Sequence, residues 1–489
     1  MEIKLDTHTA DGYRQFLKIK SLPAYRFQGR MAIVPDEYAH LIQDNAAPRL
    51  RVDYTPSPFL FDYQRDIAAT AIRKQKYCIF ADCGLGKTLM FLEYAHHALR
   101  CVSGGIMIVS PLMVVEQTVA ESKKFYGDTH MDVIPAAGLQ DWLNDCQGRI
   151  GITNYEAIKQ ELTSGQLAGL ILDESSMLKS HYGKWGTKLI ELGRGLQWKL
   201  ACTGTPAPND RIEYANHAVF MDAFPTVNSF LARFFVNRGQ TSERWVLKPH
   251  ALRPFYTALS HWCIFLTNPS TYGWQDNSES IPPIHIHEHE VPMTPEQTRL
   301  AFGTTGRLFA DKIGGITSRS VLSQIAKGNY RGKEIETHKP GFIRELCESW
   351  PDESTIIWCR YNAEQSRLER EFPDAASISG DTPHDNRMQM IADFKAGKVK
   401  VLISKPKILG FGLNLQIATR QIFSACDDSY EEFYQAVKRS NRIGSTKPLN
   451  VHLPMTDIER LQTENVLRKA SQVQRDTEEQ EAIFRNATL

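Results

Sequence analysis

Residues 81–88 of this sequence, Ala-Asp-Cys-Gly-Leu-Gly-Lys-Thr, are the ones whose types and spacing best suit chemistry. They lie between a short apolar run and a helical pattern, and a glycine-rich loop in that position lets backbone N–H groups surround a phosphate. Gly84 and Gly86 would shape the loop. Lys87 would reach the β- and γ-phosphates, and Thr88 would bind Mg²⁺ through its hydroxyl. The stretch predicts a site for a nucleoside triphosphate.

Two carboxylates further along the chain support this prediction. The apolar run at 170–172 ends in Asp173 and Glu174, and ligands bind at the carboxyl ends of buried parallel strands. Asp173 is placed to hold Mg²⁺ and Glu174 to activate a water molecule. Each feature also has a simpler interpretation. Ala81 replaces the first glycine of the usual loop, so residues 81–88 could be a plain strand-to-helix turn. The Asp could cap a helix. Together on one sheet, they favour the catalytic interpretation.

Two arginines near the end of the chain are candidates for the same chemistry. Arg439 and Arg442 are three residues apart, so on a helix both would leave one face. Guanidinium groups offered to a γ-phosphate in this way act as arginine fingers supplied by the same chain. The alternative is a solvated basic face of a helix.

These groups must be positioned by parallel sheets. Residues 59–222 and 335–456 both alternate apolar runs with helical patterns, which is typical of parallel strands covered on both faces. The first region has candidate strands at Tyr77–Ala81, Gly105–Ser110, Ile150–Thr153, Leu170–Asp173 and Lys199–Thr203. The second has them at Ser354–Cys359, Ala375–Ile378, Val399–Ser404, Gln421–Ser424 and Asn450–Leu453. The sequence therefore predicts an α/β protein with two parallel-sheet lobes.

The remaining segments are assigned more simply. Residues 1–58 interleave basic and aromatic side chains, which suits contacts with phosphates and bases, although a small α/β cap packed on the next domain explains them equally well. We expect residues 223–334 to form a helical insertion and linker whose aromatic residues build its own core, and residues 457–489 a polar helical tail.

The histidines of the linker are a separate question. His285, His287 and His289 alternate along one predicted strand, so all three would lie on one face. Alternating histidines can bind a metal, but no Cys or Asp cluster lies nearby in the sequence to complete the ligand set. A polar connecting strand is the preferred interpretation.

Composition excludes several classes of protein. With 489 residues, 42% hydrophobic and 23% charged, the chain is expected to be globular and to have two or three domains. No apolar run approaches the ~20 residues that span a bilayer, and no secretory signal is recognisable. The nine scattered cysteines fit reduced thiols, so we expect a cytoplasmic protein. A net charge of +1 excludes only a highly basic nucleic-acid binder.

Taken in order, these stretches resemble the motor core of helicase superfamily two, and within it the Swi/Snf-like ATPases of compact bacterial or phage type. The resemblance covers residues 59 to about 455. The last motif, Gln-Ala followed by Arg and then Arg-Ile-Gly, is specific to that branch. The motifs are Phe61–Gln64 (glutamine motif), Ala81–Thr88 (I), Ile108–Leu112 (Ia), Thr153–Tyr155 (Ib), Asp173–Ser176 (II), Thr203–Pro206 (III), Ile357–Arg360 (IV), Gly410–Leu415 (V) and Gln435–Gly444 (VI).

The resemblance implies two RecA-like lobes that bind ATP and Mg²⁺ between them. Gln64 and Gln435 would contact the nucleotide, and hydrolysis would drive movement along DNA without sequence preference. Motif II reads Asp-Glu-Ser-Ser and lacks the usual His, so it does not fix the subclass. By the same resemblance, seven residues would contact DNA: Pro111, Thr153, Asn154, Arg360, Ser404, Lys405 and Asn414.

The leading segment carries a fainter likeness. Residues 19–23, Ile-Lys-Ser-Leu-Pro, resemble the element that precedes the motor in annealing helicases, which act on forked DNA. The alternatives to a duplex translocase are a strand-separating helicase on DNA or RNA, a motor subunit of a restriction or defence complex, and a slow nucleotide-dependent switch or scaffold.

Overall fold

A computed structural model describes the protein as two compact units. Unit 1 comprises Met1–Asp276 and Asp476–Leu489, and unit 2 comprises Asn277–Arg475. The described residues are 1–6, 9–35, 38, 41–42, 53–127, 131–159, 161–178, 184–207, 210–239, 245–275, 281–302, 316–409, 413–424, 430–442, 444–460, 463–464, 468 and 480–485. None of the helices among them combines the length and apolar character that a bilayer span requires.

Unit 1 has one large sheet at its centre, and some of its strands lie outside that sheet. Its strands are β1 (Glu2–Lys4), β2 (Arg26–Gln28), β3 (Met31–Ile33), β4 (Lys76–Ala81), β5 (Gly105–Ser110), β6 (Met131–Val133), β7 (Ile150–Asn154), β8 (Leu167–Asp173), β9 (Trp198–Thr203), β10 (Phe235–Asn237), β11 (Trp245–Leu247) and β12 (Cys263–Leu266). Its helices are α1 (Ala10–Ser21), α2 (Asp62–Lys74), α3 (Lys87–Cys101), α4 (Val115–Tyr126), α5 (Leu139–Asn144), α6 (Lys184–Leu192), α7 (Tyr214–Phe220), α8 (Val227–Phe234) and α9 (Leu252–Ser260).

The seven strands of this sheet run parallel in the order β12-β4-β9-β8-β5-β7-β6. Side chains alternate between the faces, so Cys78 and Phe80 of β4 enter one core cluster, while Ile79 and Ala81 enter the other. Every residue of β5 and β9 is buried. Burial on both faces explains why the strands read as continuous apolar runs.

Unit 2 has a second parallel sheet, in the order β13-β20-β19-β16-β18-β17. Its strands are β13 (Ile284–Glu290), β14 (Asn329–Tyr330), β15 (Lys333–Glu334), β16 (Thr355–Trp358), β17 (Ala376–Ile378), β18 (Val401–Ser404), β19 (Arg420–Phe423) and β20 (Leu449–Met455), of which β14 and β15 form a separate hairpin. Its helices are α10 (Pro295–Phe302), α11 (Ile316–Ala326), α12 (Lys339–Glu348), α13 (Asn362–Glu371), α14 (His384–Lys395) and α15 (Tyr430–Val437).

The predicted fold class is confirmed, since both lobes are parallel α/β sheets and all ten predicted strands are present. The domain boundaries lie elsewhere than expected. Within 223–334, helices α8 and α9 are present, but β12 pairs in parallel with β4, placing Cys263 opposite Cys78. The first sheet therefore extends past residue 222. Phe230 and Phe255 pack in the core of unit 1 rather than in a separate insertion.

The predicted polar helical tail, residues 457–489, is described only in part. Residues 480–485 are helical and lie within unit 1, where Phe484 is 1% exposed. Glu459, near the start of the tail, lies in unit 2. The chain thus passes between the units twice.

Unit 2 buries a charged triad around Glu459. Its Oε1 lies 2.8 Å from Lys327 Nζ and its Oε2 lies 2.6 Å from Lys339 Nζ, and all three side chains are almost completely buried. Burial alone would raise the pKa of Glu459, but the two ammonium groups outweigh it and lower the pKa to about 2. Removing Glu459 would leave two buried cations unpaired, at a cost of about 3–5 kcal/mol.

The histidine segment forms the polar strand that its alternation predicts, as β13 at the edge of the second sheet. His452 of β20 lies between two of its histidines, with ring centroids 4.7 Å from His287 and 5.1 Å from His289. His289 Nε2 and His452 Nδ1 are 2.9 Å apart. Among the described residues, no group of three or more potential ligands is arranged to hold a metal ion.

This histidine stack is expected to make unit 2 sensitive to acid. Burial, and then the neighbouring charges of His287, His289 and Arg420, lower the pKa of His452 to about 3. Below pH ~6.5 His452 is protonated in the unfolded chain but stays neutral in the folded protein. The free energy of unfolding therefore falls by up to ~1.4 kcal/mol for each unit that the pH decreases. In His452→Phe the ring packing is retained and this part of the decline should disappear.

Urea unfolding of the full chain at several pH values between about 7 and 4 measures the slope. His250→Phe, at an exposed position of unit 1, is the control and should keep the wild-type slope. An unchanged slope in His452→Phe would contradict the prediction.

Candidate active site

The loop that follows β4 depends on its two glycines. Gly84 has φ 90° and Gly86 has φ 70°, a region of backbone conformation that only glycine occupies without strain. A Cβ on Gly86 would also lie 2.3 Å from Gln64 Nε2. Both glycines are therefore required by the backbone, and helix α3 begins directly afterwards at Lys87.

Two neighbouring elements, β12 and α2, hold this loop. The backbone N–H of Asp82 donates to Leu266 O at the end of β12, over 2.8 Å. From α2, Gln64 Nε2 and the Tyr63 hydroxyl both donate to Leu85 O, each over 3.2 Å. The predicted nucleotide-binding residue Gln64 thus touches the loop itself, and its side-chain oxygen is fixed by Phe61 N at 3.0 Å.

Lys87 lies inside the curve of the loop. Its Nζ donates to the carbonyl oxygens of Ala81, at 3.0 Å, and Asp82, at 3.2 Å. Desolvation alone would lower the pKa of Lys87, but its electrostatic interactions with Cys83, Glu174, Asp82 and Asp173 outweigh desolvation and raise the pKa. The ammonium group is therefore held charged next to backbone carbonyls, which it can exchange for phosphate oxygens. Thr88 follows in the first turn of α3 and is half-buried.

Asp173 is the last residue of β8, two strands away from β4 in the sheet, and Glu174 follows it. Ser110 Oγ donates to Asp173 Oδ2 over 2.8 Å, and the Tyr155 hydroxyl donates to the backbone oxygen of Asp173 over 2.7 Å. Burial, and then the charge of Glu174, raise the pKa of Asp173 above its usual range. A carboxylate with these surroundings gains from a bound cation, because the cation offsets both effects.

Motif III connects the acidic pair to the loop. Thr203 Oγ1 donates to Glu174 Oε2 over 3.2 Å and accepts from Thr205 N over 3.1 Å. A Cβ on Gly204 would lie 3.4 Å from Ala81 O, so the backbone of Gly204 runs close to the end of β4. Glu174 is nine-tenths buried and has φ 53°, the left-handed region that L-residues with side chains rarely adopt.

Sequence reasoning assigned no role to two groups of this site. Ser110 orients Asp173, and His217 Nε2 lies 3.0 Å from Ser175 Oγ, directly after the acidic pair. Burial lowers the pKa of His217 to about 4, so this imidazole is neutral at pH 7. Ser110 lies in the recognised motif Ia, whereas no pattern in the sequence marks His217.

The two arginines of motif VI lie in unit 2, but not on one helix face as predicted. Helix α15 ends at Val437, and Arg439 N donates to Ala436 O in a turn that continues from it. Beyond this turn, the Asn441 side-chain amide donates to Pro282 O over 2.7 Å. Arg442 is half-buried, and its Nε donates to Lys438 O over 2.7 Å.

Arg439 is tied to the ends of motif V. It is 2% exposed, its Nη1 lies 3.5 Å from Leu409 O, and its backbone oxygen accepts from Leu415 N over 3.0 Å. Residues 410–412 of motif V and residue 443 of motif VI lie outside the described residues. Gln435, the other predicted nucleotide contact, is half-buried on α15.

The predicted DNA-contacting residues of unit 1 cluster at neighbouring strand ends. Asn154 pairs with Ser110 across β7 and β5, next to Pro111. Thr153 is buried, and its hydroxyl donates to Ile134 O over 2.9 Å. Of the three predicted residues, Pro111 and Asn154 are thus partly exposed at this edge, while the Thr153 hydroxyl is used inside the fold.

In unit 2 the corresponding residues divide in the same way. Ser404 is buried and its hydroxyl donates to Ile378 O over 2.8 Å, whereas Lys405 is half-buried and contacts the Asn362 side chain. The Arg360 guanidinium lies over a neighbouring tyrosine ring and is half-buried. Asn414 is exposed. Their contacts with DNA remain a prediction.

Comparison with known families identifies the chain. The SNF2-related domain matches residues 60–325, more than half of the sequence, and the helicase conserved C-terminal domain matches residues 338–444. The chain belongs to the SNF2-related family. It is therefore an ATP-hydrolysing enzyme of the helicase type, as the motifs predicted.

Two similar proteins have different sizes. Protein p41 of Acyrthosiphon pisum secondary endosymbiont phage 1 is 22% identical over 440 residues, covering 82% of this SNF2-related chain and 92% of p41. A Drosophila melanogaster protein, SWI/SNF-related matrix-associated actin-dependent regulator of chromatin subfamily A-like protein 1, is 22% identical over 466 residues, covering 91% of this chain and 58% of the fly protein.

This chain is also similar to solved structures. The Sulfolobus solfataricus SWI2/SNF2 ATPase core in complex with dsDNA is 19% identical, with a TM-score of 0.40, covering 87% of this chain and 98% of the other.

The site geometry predicts that two substitutions stop hydrolysis by different routes. Glu174→Gln should lower kcat at least ~10²-fold with ATP binding retained, because it removes a general base. Lys87→Ala should weaken both binding and turnover, because it removes the cation from the phosphate loop.

Phosphate release and nucleotide binding, measured separately, distinguish the two effects. Glu191→Gln, an exposed carboxylate on α6, is the matched control and should behave as wild type. Full activity in Glu174→Gln would exclude its assignment as the base.

Proposed function

We propose that this SNF2-related ATPase converts ATP hydrolysis into movement along double-stranded DNA with little sequence preference. The observation that carries the proposal is the convergence of the phosphate loop, Asp173–Glu174 and Thr203 at the carboxyl ends of β4, β8 and β9. Membership of the family, in which such sites power a motor, supports it.

Each site residue then has a defined task. The loop N–H groups and Lys87 bind the phosphates, and Gln64 contacts the base from its position against Leu85. Thr88 and Asp173 would hold Mg²⁺, and the raised pKa of Asp173 fits a carboxylate that awaits a cation. When bound, Mg²⁺ supplies positive charge to the phosphates. Glu174, oriented by Thr203, accepts the proton of the attacking water.

Unit 2 is proposed to complete this site. Arg439 and Arg442 would stabilise charge on the transferred phosphate, and Gln435 would contact the nucleotide. Both guanidinium groups now bond backbone carbonyls, so they are preformed but must change partners to reach a phosphate. Alternating arrangements of the units would then move the protein along one DNA strand, through phosphate contacts at motifs Ia, Ib, IV and V.

The fingers are tested by Arg439→Ala. Loss of a transition-state guanidinium should reduce ATP turnover ~10²-fold or more. Because Arg439 is buried, a thermal melt must accompany the assay, and Arg439→Lys serves as the conservative comparison. Normal turnover in a folded Arg439→Ala protein would rule out the assignment.

The N-terminal module supports a preference for forked or branched DNA. Strands β1–β3 form an antiparallel sheet against α1, and the buried side, including Ile19 and Leu22, packs into the core of unit 1. This packing is what a cap on unit 1 would make. The module also carries a row of aromatic rings. Adjacent ring centroids in that row, Tyr13–Phe16–Phe27–Tyr25, lie 5.1–6.2 Å apart.

This aromatic row has the composition of a single-strand binding surface. Tyr13 is 61% exposed, and Lys20 Nζ lies 5.4 Å from the centre of the Phe16 ring. Stacked rings bind unpaired bases whatever their sequence, while basic residues bind the backbone. The exposed basic residues beside it are Arg14, Lys18, Arg26 and Arg30.

ATP turnover with different nucleic acids tests both parts of the proposal. Duplex DNA should stimulate hydrolysis, forked and four-way DNA should do so at lower concentrations, and stimulation should fall with added salt. Stimulation by RNA alone would contradict a DNA track. Strand displacement with the same substrates separates a translocase from a helicase.

Tyr13→Ala provides the control for the fork preference. It should weaken binding to forked DNA ~5- to 100-fold, the range for one stacked base, and leave plain duplex unaffected. Tyr13→Phe keeps the ring and should restore the preference. An unchanged fork preference in Tyr13→Ala would exclude the aromatic row as its source.

A further inference from the structure

Both passages of the chain between the units are anchored at one place in unit 1. The chain leaves unit 1 after Asp276 and returns at Asp476. The residues immediately before the first passage and shortly after the second both contact the segment that follows β12. No feature of the sequence motifs accounts for this convergence.

The first anchor is formed with helix α2. Trp274 Nε1 donates to Asp66 Oδ2 over 2.7 Å, and Gln275 N donates to Asp62 Oδ2 over 2.8 Å. Hydrogen bonds to ionised carboxylates are about twice as strong as those between neutral groups. The same two turns of α2 carry Gln64, which holds the phosphate loop at Leu85.

The second anchor is formed by the returning chain. Glu481 is 5% exposed, and its Oε1 accepts from both the backbone N–H, at 2.7 Å, and the hydroxyl of Thr267. Gln480 Nε2 donates to the Tyr256 hydroxyl over 2.8 Å. The ring of Phe484 meets Phe265 edge-on, with centroids 4.9 Å apart. The hydrogen bonds from Thr267 offset part of the cost of burying this carboxylate.

The residue before Thr267 completes the connection. Leu266 O accepts the hydrogen bond from Asp82 N in the phosphate loop, over 2.8 Å. The Tyr272 hydroxyl donates to Phe265 O over 2.6 Å and so closes residues 267–272 into a compact loop. Leu266 and the nine residues that follow it thus contact the nucleotide loop, α2 and the returning chain at Glu481.

We propose that residues 266–275, the coupling segment, anchor the chain next to both interunit passages close to the phosphate loop and so transmit the nucleotide state to unit 2. Asp66, Trp274 and Glu481 are its positioning residues. The inference rests on the proposed function, because coupling requires that hydrolysis drives movement. By linkage, the same contacts would transmit DNA binding back to the affinity for ATP.

The test compares two hydrogen bonds of the same type, each from a tryptophan indole N–H to an aspartate carboxylate. Trp142 Nε1 donates to Asp132 Oδ2 over 2.7 Å, as Trp274 does to Asp66, but at the opposite edge of the sheet. Trp274→Phe and Trp142→Phe each remove one indole N–H and keep an aromatic ring. Three quantities are measured on the full chain: ATP turnover without DNA, turnover with duplex DNA, and base pairs travelled per ATP in a triplex-displacement assay.

Trp274→Phe should leave basal kcat and KM within about twofold and lower the distance per ATP or the DNA stimulation about fivefold or more, as expected for a lost bond to a charged group. Trp142→Phe should match wild type in all three measurements. Glu481→Ala should act like Trp274→Phe, and Glu481→Gln, which keeps the acceptor oxygen, should restore coupling.

The outcomes separate the two proposals. Suppose that the wild type moves on DNA and that Trp274→Phe and Glu481→Ala move as far per ATP as the wild type does. The proposed role of the coupling segment is then wrong, and the proposed function stands. Equal losses in Trp142→Phe and Trp274→Phe would also overturn it, since stability alone would explain them. If no DNA stimulates the wild type, both proposals fall.

Discussion

The register of the central parallel strands is the constraint on which the active site depends. Phe80 pairs with Thr203, and Asp173 pairs with Cys202, so the ends of β4, β9 and β8 meet at one edge of the sheet. A strand shifted by one residue would move its buried side chains to the opposite face. The two hydrophobic cores thereby fix the positions of the loop, the acidic pair and the threonine that connects them.

Buried charge follows one rule in both units. In unit 1 Glu174 and Asp173 are among the groups that raise the pKa of Lys87. In unit 2 Glu459 forms ion pairs with Lys327 and Lys339. The difference is that the triad is satisfied internally, whereas the acidic pair raises the pKa of Asp173. An unsatisfied charge arrangement is costly for a scaffold and useful for a site that must bind a cation.

The sequence was sufficient for the long strands and the phosphate loop, because six apolar residues or a paired glycine spacing leave few alternatives. The sequence does not predict strands β6 and β12, since a run of three or four residues does not distinguish strand from helix. The turn after α15 is followed by Asn441, whose amide donates to the distant carbonyl of Pro282, a contact that no local pattern reveals. His217 and the contacts of Glu481 depend on tertiary packing in the same way.

The backbone of Glu174 has a consequence for how such a protein can change. Its φ of 53° costs a residue with a Cβ about 1–2 kcal/mol, a strain that glycine avoids. Selection for thermal stability alone would thus favour replacing Glu174, whereas its proposed role as the general base would favour keeping it. Relaxed selection for activity would remove the advantage of glutamate at this strained position.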